Sequence, residues 1–585
     1  MLRGDVADEL GRRIAAAVEA AYSLEIGLEE AAIRPAPPER PADYQSNAAM
    51  PLAKRLSLPS RQVAAAIVEH FDTGDMVEPP EVSGPGFVNL ALRRDWLERH
   101  LRNLSTDDRL GVAREETPRR VVVDYSSPNA AKEMHAGHLR STILGDALVR
   151  LLRFAGHEVI PQNHLGDWGT PFGMLVEELI DRGWAGSVER QVRDLNAFYQ
   201  EVRARFDSDP EFAERARRRV VALQAGDPQT VAVWRELIGE SIRQLEDLYR
   251  FLGVLLRPED IRPESSYEDV LTEVVRELEE AGLAVPSEGA LCVFPPGFTS
   301  RDGEPLPLIV RKGDGGYTYD TTDLAALRYR TLEMGADRLL YVVGASQRLH
   351  FEMLFAVARL AGWLGARASA EHVSFGAILG PDGKMLRTRA GAAIKLIELL
   401  QEAVDRAASI VAERAELDPD ERERVARAVG IGALKYADLS SDREKDYVFS
   451  WDRMLAMDGN TAVYLQYANA RIRSILRRGG EGGELTATNV GTGILLARPA
   501  ERALALKLAQ FPAAVQMATA RLQPHRICTY LYEAATAFST FYEHCSVLNA
   551  ETAELRASRL ALSEVTSRTL TLGLGLLGIE APERL

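Results

Sequence analysis

Between residues 116 and 380 the sequence alternates short β-branched runs with amphipathic stretches, and this pattern constrains the fold more than any other feature. Three of the runs are RRVVVDY, HEVIPQN and DRLLYVVG, and a fourth strand is predicted over HVSFGAIL, residues 372–379. LRSTILGDALVRLLRFAG, after the first run, has the spacing of an amphipathic helix that ends at Gly156. Strands that alternate with helices predict a parallel α/β sheet of the doubly wound type.

Charged, helical text from about residue 175 to 300 interrupts the alternation and predicts an insertion that is helical until roughly residue 283. The chain of 585 residues is too long for one core. A small module with helices and strands is predicted before residue 116, and from about residue 395 the text is helical almost throughout. A Gly-rich break at 477–485 separates two helical blocks. We therefore predict a first domain at 1–115, a second at 116–395 and helical structure after it.

Composition and charge exclude several classes of protein. The net charge of −15 argues against a general nucleic-acid coat protein, although residues 471–526 carry nine Lys/Arg against three Asp/Glu. No apolar run of about 18 residues predicts a membrane span, and the charged N-terminus is not typical of a signal peptide. The three cysteines have no CxxC spacing, so they indicate neither a zinc site nor a disulfide framework. The cytoplasm is the expected compartment.

The segment SSPNAAKEMHAGH, residues 126–138, connects the first predicted strand to the first predicted helix. His135 and His138 then lie at a helix N-terminus at the carboxyl edge of the sheet, where free N–H groups favour phosphate. Lys132 adds a cation, and Gly137 has no Cβ to keep a flat ligand from the backbone. Zinc is an alternative, but the spacing marks no third ligand. Two structural histidines are a second alternative.

HAGH resembles the HIGH signature of class I aminoacyl-tRNA synthetases, and the longer string SSPNAAKEMHAGHLRSTILGDAL is similar to arginyl-tRNA synthetases. The resemblance covers essentially the whole chain. It implies a multidomain α/β protein with a small α+β N-terminal domain at the tRNA elbow and a Rossmann-like catalytic domain with a helical insertion. A helical stem-contact region at 396–457 and an all-α anticodon-binding domain at 458–585 would follow. It also implies an enzyme that activates L-arginine with ATP and transfers it to tRNA. Mg²⁺ would accompany ATP, with no tightly bound cofactor, no resident metal and a monomeric chain.

The resemblance further implies roles for single residues of the catalytic site. GPDGKMLRTRAG is similar to the family's KMSKS loop, with Lys384 at the first lysine and Arg387 at the second. Lys132 occupies the upstream place where a lysine is thought to compensate for a degenerate loop. The implied catalytic residues are His135, His138, Lys132, Lys384 and Arg387. The implied ATP-binding residues are His135, Gly137, His138, Gly344, His350 and Lys384. For His350 a structural role is the alternative.

A pocket for arginine is implied by GGYTYDTTDLAAL, which is similar to a family segment with a tyrosine and an aspartate four residues apart. Tyr319 and Asp323 match it and would hold the guanidinium from one helix face. The alternative is a pair on a helix surface. Gln347, Asn129 and Asp124 would orient the other end of the substrate or its neighbours.

Two further segments imply tRNA contacts. DYQSNAAMPLAKRL resembles the family's N-terminal domain and marks Gln45 and Asn47, for which a helix-capping turn is the alternative. Residues 433–478 are a second strong match, and they place aromatic and cationic side chains at helical spacing, as unstacked anticodon bases and phosphates require. These residues are Tyr464, Tyr467, Arg471 and Arg473. The alternative for each residue is a structural one, in which one face of the helix packs in the core of a helical bundle and the opposite face is exposed to solvent.

Two other functions remain as alternatives. A tRNA-binding pseudo-synthetase would be expected to lose HxGH or the basic loop, and both persist here. A paralogue that serves specialised metabolism or inhibitor resistance would have the same chemistry.

Overall fold

The computed structural model describes residues 5–37, 42–130, 132–183, 195–387, 394–413, 417–480 and 493–585. Two compact units are present. The first comprises Met1–Arg114, Ala407–Tyr436 and Arg453–Leu585, and the second comprises Glu115–Arg406 and Ala437–Asp452. Among the described residues, no helix is both long and apolar enough to cross a membrane.

The N-terminal part of the first unit packs helices against a small antiparallel sheet, as the sequence predicts. Its helices are α1 (Val6–Tyr22), α2 (Leu28–Ala31), α3 (Ala49–Leu56), α4 (Ser60–His70) and α5 (Arg94–Thr106). Its strands are β1 (Ile33–Pro35), β2 (Tyr44–Ser46), β3 (Glu81–Ser83) and β4 (Phe87–Leu90), in the spatial order β1–β2–β4–β3. Asp5 caps α1 by accepting a hydrogen bond from the N–H of Ala7, as N-cap aspartates do.

A parallel four-stranded sheet forms the centre of the second unit, so the predicted doubly wound α/β fold is confirmed. Its strands are β5 (Arg120–Asp124), β6 (Glu158–Gln162), β10 (Arg338–Tyr341) and β11 (Ser369–His372), in the order β11–β10–β5–β6. The principal flanking helices are α6 (Ala136–Ala155), α12 (Tyr319–Arg328) and α13 (Arg348–Leu360). Register aligns the last residues of the four strands in one row, because Asp124 pairs with both Gln162 and Tyr341, and Tyr341 pairs with His372. The carboxyl ends therefore meet at one edge.

The prediction of a single strand over 372–379 is wrong. β11 ends at His372, and a separate short strand, β12 (Ile378–Leu379), pairs with β13 (Tyr447–Val448). Between them, the N–H of Gly376 donates to the carbonyl of Arg443 and the N–H of Ala377 to the carboxylate of Asp446. These amides donate to residues that are not part of the main parallel sheet, so the chain leaves that sheet after β11.

The segment between β6 and β10 contains the predicted helices and a sheet that the sequence did not indicate. The helices are α7 (Thr170–Asp181), α8 (Leu195–Ser208), α9 (Pro210–Gln224), α10 (Pro228–Leu252) and α11 (Glu268–Glu280). Helical structure ends at residue 280, close to the predicted end at 283. An antiparallel sheet follows with strands β7 (Ala284–Ser287), β8 (Ala290–Val293) and β9 (Leu308–Arg311).

Residues after 395 are helical almost throughout, as predicted. These helices are α14 (Leu396–Ala412), α15 (Pro419–Leu439), α16 (Trp451–Met454), α17 (Ala462–Gly480), α18 (Pro499–Ala509), α19 (Phe511–Arg521), α20 (His525–His544) and α21 (Ala553–Leu576). Most of the predicted Gly-rich break at 477–485 lies outside the described residues.

Candidate functional site

The two histidines of HAGH cap the N-terminus of α6. The N–H of Gly137 donates to Nδ1 of His135 at 3.1 Å, and the N–H of His135 donates to Nδ1 of His138 at 3.2 Å. A Cβ on Gly137 would lie 2.8 Å from the His135 ring, so the missing side chain makes room for that ring. These contacts give both histidines a capping role at this helix end, and their ligand role stays a prediction.

Both histidines are held in the neutral form. Burial lowers the pKa of His135, and burial with the nearby charge of Lys132 lowers the pKa of His138 to about 4. Each Nδ1 accepts a backbone hydrogen bond, so the single proton of each neutral ring belongs on Nε2. The pair therefore offers neutral Nε2–H donors.

The basic loop begins directly after β12, and the chain after it lies next to the HAGH segment. Leu379 and Met385 form a bridge, and the N–H of Gly380 donates to the carbonyl of Lys384, so a tight turn presents Lys384 after β12. Lys384 and Arg387 are both exposed. After residues outside the described part, the chain returns beside HAGH, where the N–H of Ala136 donates to the carbonyl of Ile394.

Lys132 is exposed, and its Nζ lies 4.8 Å from the centre of the Tyr199 ring. Lys132 and Asn129 together line a cavity of about 410 Å³, whose other wall is α10. Asn129 also packs against Gly166, where a Cβ would lie 2.3 Å from the Asn129 Oδ1 atom. The structure thus brings Asn129 and Lys132 together at the strand–helix connection.

Tyr319 and Asp323 share one face of α12, and His350 of α13 lies against both. Nε2 of His350 is 2.8 Å from Oδ2 of Asp323, and its Nδ1 is 3.0 Å from Oδ1 of Asp320. The Tyr319 ring is 65% exposed, and its centre is 5.3 Å from that of His350. His350, predicted on the ATP side, therefore lies with the predicted arginine-binding residues.

Further polar groups that the sequence did not single out surround Asp323. Nε2 of His164, just after β6, lies 3.5 Å from Oδ1 of Asp323. Burial and the charges of Asp323 and Asp167 raise the pKa of Glu264 to about 8. Asp167 accepts hydrogen bonds from the N–H and hydroxyl of Ser265. No local signal marks Glu264, because a single glutamate after a proline is common in loops.

Asp124 is buried at the end of β5 and has partners within the protein. Its Oδ2 is 2.8 Å from Nη1 of Arg330, and its Oδ1 accepts a hydrogen bond from the Ser127 hydroxyl at 2.7 Å. Burial would lower the pKa of Arg330, but the Asp124 charge together with the neighbouring Tyr341 and Tyr267 raises that pKa. Such pairing favours a supporting role for Asp124 over direct contact with substrate.

Gly344 and Gln347 lie at the turn between β10 and α13. Gly344 forms a bridge with Phe375, and Gln347 is exposed immediately before α13. This turn follows the carboxyl end of β10, which is the edge that Asp124 and His164 also occupy. The predicted positions of both residues at the ligand edge are compatible with the fold.

In the first unit, Gln45 lies within the N-terminal sheet. Its Nε2 donates to Oδ1 of Asn89 at 2.9 Å, and the residue is only 9% exposed. Asn47 is half-buried, and its carbonyl accepts from the N–H of Met50 at the start of α3. The placement of Gln45 favours its structural alternative, whereas α3 has no side-chain capping hydrogen bond that would favour the same alternative for Asn47.

The four predicted anticodon-facing residues of α17 fall on two sides. Tyr464 and Tyr467 are half-buried, and the Tyr464 ring packs edge-on to Tyr532 of α20. Arg471 is exposed, with its guanidinium 4.6 Å from the centre of the Tyr542 ring of α20. Arg473 instead lies 3.9 Å from Glu564 of α21. Aromatic and cationic groups are thus combined along the α17–α20 side.

Among the described residues, no group of three or more His, Cys, Asp or Glu side chains is arranged to hold a metal ion. The site therefore consists of neutral N–H donors at a helix end, exposed cations on the adjoining loop and an acidic pocket at the same sheet edge.

Comparison with known proteins gives three matches to family profiles. Residues 100–451 match the catalytic domain of class I tRNA synthetases of the arginine type, residues 8–92 the arginyl-tRNA synthetase N-terminal domain and residues 465–585 the DALR anticodon-binding domain. The fold is thus that of a class I tRNA synthetase.

Relatives and solved structures refine this class. An arginine–tRNA ligase of Thermobifida fusca is 53% identical over 98% of this chain and 99% of its own length, and one of Frankia casuarinae is 52% identical over 94% of each. The arginyl-tRNA synthetase structure of Plasmodium falciparum matches all of both chains with a TM-score of 0.84 at 28% identity. The chain belongs to the arginyl-tRNA synthetase family.

Proposed function

We propose that this chain is an arginine–tRNA ligase, which joins L-arginine to tRNA with ATP as the source of energy. The observation that carries the proposal is the acidic pocket around Asp323 at the sheet edge that also bears the HAGH helix. Two carboxylates there, those of Asp320 and Asp323, contact a single imidazole, that of His350, so negative charge is in excess among these described groups. A pocket with excess carboxylate suits a guanidinium, which donates paired hydrogen bonds to carboxylate oxygens.

Guanidinium specificity follows from the geometry of these acceptors. Asp323 presents two carboxylate oxygens, and Tyr319 on the same face of the helix adds a hydroxyl. The N–H groups of a planar guanidinium can therefore donate to several acceptors at once. A lysine ammonium is a point charge without that fork and would leave acceptors unpaired. Asn129 and Gln347 would then orient the α-ammonium and carboxylate ends.

The first step is attack of the arginine carboxylate oxygen on the α-phosphorus of ATP. A P–O bond forms to the arginine carboxylate, the bond to the β-phosphate oxygen breaks, and pyrophosphate leaves. No general base is required because the nucleophile is already ionised. Charge on the phosphate oxygens would be met by Lys132, Lys384, Arg387 and the Nε2–H groups of His135 and His138. Mg²⁺ would enter with ATP as its counter-ion.

In the second step a tRNA 3′-terminal hydroxyl, the 2′-hydroxyl in class I enzymes, attacks the adenylate carbonyl and AMP leaves. We propose that residues 1–115 contact the tRNA elbow, 396–457 the acceptor stem and 458–585 the anticodon, and that 116–395 holds both reactions. Tyr464, Tyr467 and Arg471 support the anticodon contact. We further propose that the enzyme is monomeric and cytoplasmic, and that it requires tRNA for the first step.

Arginine-dependent exchange of pyrophosphate into ATP, measured with and without tRNA, tests the function. Exchange with arginine and cognate tRNA is expected. Its absence under those conditions would favour the pseudo-synthetase alternative, and exchange with lysine but not arginine would contradict the pocket assignment. Lys384→Ala should reduce the exchange rate at saturating arginine and leave the arginine KM nearly unchanged, because Lys384 faces phosphate in this proposal.

A further inference from the structure

His350 connects two carboxylates of α12 that are three residues apart. Its Nε2 is 2.8 Å from Oδ2 of Asp323, and its Nδ1 is 3.0 Å from Oδ1 of Asp320. The His350 side chain is 13% exposed, and Asp320 is 14% exposed, so bulk water competes little for these contacts. The Tyr319 ring lies beside the imidazole, with ring centres 5.3 Å apart.

Both contacts require a proton on the ring nitrogen. A carboxylate oxygen can only accept, and a ring nitrogen without hydrogen would set one lone pair against another at 3 Å. A neutral imidazole carries one N–H and could satisfy only one of the two aspartates. The geometry therefore specifies the imidazolium form. Burial alone would lower the pKa of His350, but hydrogen bonds to Asp320 and Asp323 and their charges raise it to about 9.

Two carboxylates and one imidazolium leave one negative charge in excess, which a cationic ligand can use. Without Asp320, His350 and Asp323 would cancel each other, and a guanidinium would meet a neutral surface. The bond also fixes which oxygen of Asp323 is engaged, because Oδ2 accepts from His350 and Oδ1 lies nearer His164.

Other charged groups near His350 do not replace this arrangement. On its own helix, Arg348 and Glu352 are exposed. The loop after β6 contributes His164, which lies near Asp323. Glu264 interacts electrostatically with Asp323. β11 contributes His372, whose ring packs on Phe351 and whose Nε2 donates a hydrogen bond to the carbonyl of Val343. Burial lowers the pKa of His372, which favours the neutral ring.

We propose that His350, in the imidazolium form and balanced by Asp320, is a positioning residue that orients Asp323 for the substrate guanidinium. The inference rests on the proposed arginine ligase function and adds to it a second, supporting pair behind the pocket. It also changes the predicted role of His350 from ATP binding to arginine binding. Arginine affinity then depends on two residues that need not touch arginine.

Kinetics of four variants test the proposal in the exchange assay with tRNA. His350→Leu removes both contacts and should raise the arginine KM about 10- to 100-fold, with kcat and the ATP KM changed much less, because misplacement of one group by an ångström has effects of this size. His350→Gln retains one donor and should recover part of the loss. Asp320→Asn should raise the arginine KM although Asp320 does not face the ligand. Glu352→Gln, exposed on the same helix, is the matched control and should resemble the wild type.

A spectroscopic measurement reads the protonation of His350 without activity. Nuclear magnetic resonance of ¹³C-labelled histidine in the full chain, with the His350 signal assigned by its loss in His350→Gln, should show an imidazolium that persists through pH 8. In Asp320→Asn its titration midpoint should fall. A wild-type midpoint near the ordinary value of 6.5, or an unchanged arginine KM in His350→Leu, would overturn the inference. Failure of the wild type to catalyse arginine-dependent exchange would instead overturn the proposed function, and the titration would still be informative.

Discussion

Oδ2 of Asp124 lies 2.8 Å from Nη1 of Arg330, and the two side chains are only 8% and 1% exposed. The pair joins the end of β5 to the turn of π-helix that continues α12, at Tyr329–Glu333. It therefore ties the strand that leads into HAGH to the helix that carries Tyr319 and Asp323.

Asp124→Asn should destabilise the second unit by about 3–5 kcal/mol, because a buried guanidinium would lose its counter-charge. Denaturant unfolding followed by tryptophan fluorescence measures this loss. Glu158→Gln is the matched control, since its ion pair with Arg120 on the neighbouring strand is exposed and should contribute below about 1 kcal/mol. A raised arginine KM without lost stability would instead restore the direct contact of Asp124 with arginine.

Two substitutions of His138 separate its capping role from its donor role. His138→Asn keeps an acceptor for the His135 N–H but removes the Nε2–H donor, so kcat for exchange should fall about 10²- to 10³-fold with little loss of stability. His138→Ala removes both and should also lower stability by about 1 kcal/mol. Steady-state exchange and thermal unfolding distinguish them. Equal stability of the two variants would contradict the capping role.

Arginine binding should depend on pH through Glu264. Burial and the charges of Asp323 and Asp167 raise its pKa to about 8. Without bound arginine, the Glu264 carboxyl is therefore mostly protonated at pH 7. A guanidinium favours the ionised form, so the arginine KM should fall between pH 7 and 8.5, by at most about tenfold per pH unit. Glu264→Gln should flatten this dependence, whereas Glu259→Gln, 67% exposed in the same segment, should not.

The same shift has a consequence for folding stability. Because the folded-state pKa of Glu264 lies above its ordinary value of 4.5, the protonated group is favourable below that value. Its contribution is lost as the pH rises through about 8. Glu264→Gln should therefore make stability less sensitive to pH between 4.5 and 8, and an unchanged pH profile of denaturant midpoints would contradict this assignment.

Arg471 and Arg473 provide a matched pair for the tRNA contact. Arg471 is exposed beside the Tyr542 ring, whereas Arg473 lies 3.9 Å from Glu564. Arg471→Ala should raise the tRNA KM several-fold, about the effect of one phosphate or base contact, and leave the ATP KM unchanged. Arg473→Ala should affect the tRNA KM less. The reverse order in aminoacylation assays would show that the other side of α17 meets tRNA.

Local patterns predicted much of the fold because their signals lie within one element. Periodicity indicated α6, and Gly156, at a φ of 104°, ends it as predicted. The failure at 372–379 has an equally specific cause. The β-branched and aromatic residues there predict one strand. The amides of Gly376 and Ala377, however, bond to residues about 70 positions later, and local periodicity carries no information about such distant partners.

For the site, the sequence identified the residue types and the tertiary structure decided their states. Helical spacing brought Tyr319 and Asp323 to one face, and the family resemblance marked HAGH and the basic loop. Burial made the two histidines neutral, which no spacing could indicate. Glu264 was missed because its significance comes from Asp323, which is 59 positions away in the chain.

The sequence by itself determined the α/β order of elements, the helix that begins at HAGH and the family, because each depends on residues close together in the chain. Only the tertiary structure decided that Asp124 faces Arg330, that His350 stands between Asp320 and Asp323, and that Glu264 joins them. Those relationships depend on which distant elements pack together and on how far water is excluded. Charge states follow from that packing, since desolvation and neighbouring charges set each pKa.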